Sequence, residues 1–148
     1  MNSQIWRVLK FAFYIAIGIL VEANISDPVD GTIEIITETI LTLLLIGILL
    51  FATKKYSLFT QLFTALITCE NFILFLGVLT ELLDEFLKKT PYEDIPLIIG
   101  GVLAIWFVLI AAYIMRQMFF FDKTKSIVLG AFYAVFTVVG AFLLTEVI

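Results

Sequence analysis

Residues 56–83, YSLFTQLFTALITCENFILFLGVLTELL, decide how this chain is read. The run is long and apolar enough for a bilayer span, which needs roughly 20 apolar residues. Its only charge between Lys55 and Glu81 is Glu70, near the middle. An ionisable side chain inside a span is costly, roughly 2.5–3.5 kcal/mol on insertion scales, so Glu70 asks for a reason.

The rest of the chain fits a membrane setting. Of its 148 residues, 62% are apolar and 15% charged, and the mean hydropathy is +1.13. A soluble domain of this length could not enclose so many apolar side chains. With no His and one Cys, Cys69, the composition excludes imidazole metal sites, Cys-type zinc clusters and internal disulfides. No basic-aromatic interleaving points to nucleic acid. Neither a metal nor a cofactor is expected.

Working outward gives five spans in one domain, residues 1–148. They cover about 5–25, 33–53, 56–83, 95–121 and 126–146. The first could be a signal peptide with a Val21-Glu22-Ala23 cleavage site, or a retained helix with Arg7 and Lys10 snorkelling to the headgroups. It is read as retained. Residues 24–32 form a loop rich in turn formers, and Lys54-Lys55 closes a hairpin between spans two and three. Residues 81–95 are the most polar stretch, with Pro91 and Pro96 marking a loop and a helix start.

Charge sets the orientation. Five spans collect Arg7, Lys10 and the anchors Lys54, Lys55, Arg116, Lys123 and Lys125 on one side, leaving Lys88 and Lys89 for the other. That other side holds most of the acidic residues. The positive-inside rule then predicts an all-α bundle of five transmembrane helices, N-in and C-out.

Two polar features stand out within the spans. In the third, Ser57, Thr60, Gln61, Thr64, Thr68 and Asn71 share an arc of about 100°, expected to avoid lipid. Glu70 points off that arc. In the second, Glu34 and Glu38 lie one turn apart with Thr37, Thr39 and Thr42 nearby. A reversal at Lys54-Lys55 puts Glu70 level with Thr39 and near Glu38 in depth. Arg116 lies about 21 Å away along the bundle axis, so no cation neutralises Glu70, and a desolvated carboxyl is expected in its protonated form. The site expected is Glu70, Asn71, Glu38, Thr39, Gln61, Thr64 and Thr68. It either fixes helix packing, couples to a proton or cation, or meets a basic residue of a partner.

In the fifth span, Ser126, Gly130, Ala134, Thr137 and Ala141 share an arc of about 80°, a seam that admits close helix approach. It can serve packing within the chain or a homo-oligomer. No nucleophile–base pair or metal spacing is present, and Gly100-Gly101 lacks the Lys-Ser/Thr of a phosphate loop, so no enzyme is expected.

The run Gln61-Leu62-Phe63-Thr64-Ala65-Leu66 follows a basic turn. Trp106 is followed by Ile114-Met115-Arg116, a short turn and a Gly/Ala/Tyr-containing final helix. Together they resemble small uncharacterised proteobacterial membrane proteins grouped with the Yip (Ypt/Rab-interacting protein) family. The resemblance covers roughly residues 28 to 145. It implies a five-helix integral membrane fold with no established activity for the bacterial members; the eukaryotic relatives are trafficking adaptors. Glu70 falls where that group is expected to carry a small or acidic residue.

The expectation is therefore a non-enzymatic accessory, scaffold or subunit in a bacterial inner membrane. Its partners are the lipid bilayer and either a second copy or another membrane protein. The alternative is a small proton- or cation-coupled transporter using Glu70 and Glu38.

Overall fold

The computed structural model describes residues 9, 11–13, 15, 16 and 28–145. Most of the first expected span, its cleavage alternative, and the charges Arg7, Lys10, Glu22, Asp27 and Glu146 lie outside them. Among the described residues all regular structure is helical. The elements are α1 (Pro28–Thr53), a 3-10 turn (Tyr56–Leu58), α2 (Phe59–Leu87), α3 (Ile95–Phe119), α4 (Lys123–Ala134), a π segment (Val135–Val139) and α5 (Gly140–Thr145). The described positions among residues 9–16 are helical too, with Phe11 against Phe63 and Ile15 against Ile35 and Ile67. These groups correspond to the five helices expected. Three helical stretches, Ile35–Thr53, Tyr56–Leu87 and Ile95–Phe119, are long and apolar enough to cross a membrane.

Several boundaries differ from the sequence reading. Helix α1 is already helical at Pro28, the first residue described on this side, so the expected loop is shorter than 24–32; a proline is tolerated in a helix's first turn, where its missing N–H is no loss. Helix α2 continues through Glu81, Asp84 and Glu85 to Leu87, since glutamates and leucines favour helix. It stops where Lys89 turns left-handed at φ 66°. Its 29 residues run about 44 Å, well past a hydrocarbon core of about 30 Å. Helix α3 ends at Phe119, short of residue 121, because Phe120 is left-handed (φ 58°) and its N–H closes on the Arg116 carbonyl. Helix α4 begins at Lys123, where the Asp122 carboxylate accepts the Lys125 N–H at 2.6 Å.

The helices close a ring. Helix α1 packs on α2, α2 on α3, and α3 on α4; α5 returns to α1. The last helix thus changes partner along its length, and the π segment lies at the change. There the Gly140 N–H reaches back to the Val135 carbonyl, one residue further than in an α-helix. Inside the ring lie Leu45, Ile46 and Leu50 of α1, Leu62 and Leu66 of α2, Phe107, Ala111 and Met115 of α3, and Tyr133 of α4. Their three- and four-residue spacings mark one inward stripe per helix.

Candidate functional site

The inward stripes carry polar groups at mid-height. On α1, Thr39 and Thr42 continue the line of Ile35 and Ile46; on α2, Glu70 stands one turn beyond Leu66; on α4, Tyr133 stands one turn from Gly130. All four polar side chains are buried, Thr42 and Tyr133 completely and Glu70 to within 3%. The Tyr133 hydroxyl donates to Glu70 Oε1. Thr42 Oγ1 also donates to Glu70 Oε1, at 3.5 Å, and lies 3.3 Å from the Tyr133 hydroxyl. One carboxyl thereby ties α1, α2 and α4 together. Phe107 of α3 packs on the Tyr133 ring, their centroids 5.9 Å apart, which holds the phenol in place.

Glu70 Oε2 is buried and has no hydrogen-bond partner among the described residues. Glu38, half-buried on α1, is close enough to act electrostatically on Glu70. No basic side chain among the described residues forms an ion pair with Glu70; the ion pair described, Lys88–Asp84, is exposed at the far end of α2. Among the described residues, no group of three or more His, Cys, Asp or Glu is placed to hold a metal ion.

The expected site residues therefore separate. Glu70 and Glu38 are near one another, but Glu70 meets Thr42 rather than Thr39, whose hydroxyl bonds to the Ile35 carbonyl of its own helix at 2.8 Å. The one-turn difference follows from the reversal, which spans Lys54–Leu58 because the 3-10 turn lengthens it. Asn71 is buried beside Glu70 in sequence. Of the polar arc, Asn71 is buried, Thr60 and Thr64 are half-buried, and Ser57, Gln61 and Thr68 are exposed, so the arc is not enclosed as a whole. The reason is visible at Thr68: its hydroxyl bonds to the Thr64 carbonyl at 2.7 Å, so its own helix satisfies it. The side chain of Glu34 lies outside the described ones.

The seam of small residues lies inside the chain. Ser126, Gly130, Thr137 and Ala141 are buried and Ala134 half-buried. A Cβ on Gly130 would stand 2.7 Å from the Val108 carbonyl oxygen and from the Ala112 nitrogen of α3, and one on Gly140 would stand 3.1 Å from Leu41 of α1. Tyr133 is not among the residues that charge or polarity along the sequence picks out. A signal for it exists: it falls on the same arc as Gly130 and Thr137, so its hydroxyl must point inward and find an acceptor.

No protein-family profile, curated protein or solved structure matches this chain.

Proposed function

We propose that this chain is a non-enzymatic integral protein of a bacterial inner membrane, N-in and C-out, serving as accessory, scaffold or subunit of a membrane complex. Membership of the Yip-like group is part of the same proposal. The observation that carries it is the outer face of α3. This helix is the least enclosed of the long ones, and the part of it around Gly101 exposes Leu97, Ile98 and Val102. A Cβ on Gly100 or Gly101 would meet nothing within 4 Å, so this apolar face carries a notch where another helix's backbone could approach. The buried polar groups, by contrast, are turned toward one another inside the ring. That supports a packing role for Glu70.

Co-purification in mild detergent tests the reading. The expected result is a discrete partner or a self-associated species that is lost on Gly101→Leu while the helices stay folded. A chain that always runs alone argues against it.

A second reading has one observation behind it, the buried Glu70 Oε2 with Glu38 in electrostatic reach. It is a small proton- or cation-coupled transporter. Flux into proteoliposomes that disappears with Glu70→Gln would favour this reading; no flux in either protein leaves Glu70 as a packing residue.

A further inference from the structure

The two connections at the Lys54 end of the bundle lie side by side. Lys55 of the α1–α2 reversal donates from Nζ to the Met118 carbonyl at 3.4 Å. It also stands 5.8 Å from the Phe119 ring centre and 5.0 Å from that of Phe120. Lys125 lies 4.3 Å over Phe121, which stacks on Phe119. These contacts bring Lys54, Lys55, Arg116, Lys123 and Lys125 to one rim. Among the described residues none of the five has an ion-pair partner, and the one acid in the α3–α4 connection, Asp122, has its carboxylate turned to the Lys125 backbone. Lys55 and Lys125 are engaged by rings. Lys54, Arg116 and Lys123 are exposed. Phe120 is 85% exposed between them, and Tyr56 and Phe59 are exposed on the neighbouring connection. Exposed aromatics beside uncompensated cations are what a bilayer interface selects. Above Arg116, α3 exposes Tyr113, Leu109 and Ile105 at helical spacing, an apolar track leading away from the charged rim.

We infer that Lys54, Arg116 and Lys123 hold the phosphodiester of an anionic phospholipid, whose acyl chains lie along the Tyr113–Leu109–Ile105 face of α3. The guanidinium supplies two donors in a fork that matches phosphate oxygens, and the two ammonium groups supply charge. A zwitterionic headgroup brings its own cation to the rim and is disfavoured. The inference rests on the membrane reading above, and extraction behaviour tests that reading separately: resistance of the chain to alkaline carbonate washing.

The experiment is native mass spectrometry of delipidated protein in neutral detergent, titrated with phosphatidylglycerol or phosphatidylcholine. Wild type should prefer the anionic lipid by about a hundredfold, the scale of three basic groups at a charged surface. K54Q/R116Q/K123Q should reduce that preference to within a few fold. Because none of these side chains makes a described internal contact, its circular dichroism and melting should match wild type. K88Q/K89Q, at the opposite rim, should keep the preference, and millimolar inorganic phosphate should not displace the lipid. Equal preference in the triple variant, equal loss in the double variant, or full displacement by free phosphate would each overturn the assignment.

Discussion

The Tyr133 hydroxyl donates to Glu70 across the centre of the bundle, joining α4 to α2, and Thr42 of α1 donates to the same oxygen. Buried donors and acceptors cost most when one partner is removed and the other stays. Tyr133→Phe should therefore lower stability by about 1–2 kcal/mol. Tyr133→Phe combined with Glu70→Leu should recover part of that loss, since only the buried Thr42 hydroxyl is then left, and it can turn to a carbonyl of its own helix. Thermal unfolding in detergent, read as a double-mutant cycle, checks this. Additive losses would show that the two residues do not act on one another.

Gly130 and Gly101 should respond oppositely to the same methyl group. At Gly130 the added Cβ meets the α3 backbone at 2.7 Å, and backbone cannot swing aside as a side chain tip can. Gly130→Ala should destabilise by roughly 2–3 kcal/mol. Gly101→Ala meets nothing and should be neutral or stabilising by up to about 1 kcal/mol, from helix propensity. Melting of the two variants side by side is the measurement; equal losses would mean that α3 and α4 do not cross at Gly130.

Lys89 holds φ at 66° just past α2, where a residue with a Cβ costs roughly 1 kcal/mol over glycine. Lys89→Gly should raise stability by up to about that amount. Lys88→Gly, at φ −49° and ψ 129°, should give no gain, and a gain there as large as at Lys89 would remove the backbone explanation.

Single cysteines in a Cys69→Ala background test orientation. Positions 54 and 123 should react with a membrane-impermeant maleimide from one side of sealed vesicles, and position 89 from the other. In the parent protein the free, buried Cys69 should stay unreacted until the bundle is unfolded. Labelling of 54 and 89 from the same side would exclude a hairpin that crosses the bilayer.

Much of the architecture was legible because hydropathy and charge act over whole segments. The apolar run at 56–83, the basic turn at Lys54-Lys55 and the polar stretch after Glu81 are each repeated signals. The site was legible in half. Glu70 is visible as a lone charge, and its place four residues after Leu66 puts it on the inward stripe. Tyr133 is hard to see because a phenol in an aromatic-rich helix looks like more apolar bulk; only its phase relative to Gly130 marks it. The Thr39-for-Thr42 difference has another origin. Depth across a hairpin depends on how many residues the reversal consumes, and the 3-10 turn at Tyr56–Leu58 leaves no periodic trace. The exposed Thr68 shows a third limit, since a hydroxyl bonded to its own helix is no longer polar toward its surroundings.

The π segment at Val135–Val139 makes the final helix two half-helices on one axis, with separately set facings. The lower half is phased by Gly130 for α3, and the upper half by Gly140 for α1. One surplus residue between them absorbs the mismatch, like a washer between two threaded parts. Deleting a residue there would leave the helix long enough but rotate one half by about 100° against the other. Either the α3 contact or the α1 contact would survive, and the ring would open on the losing side.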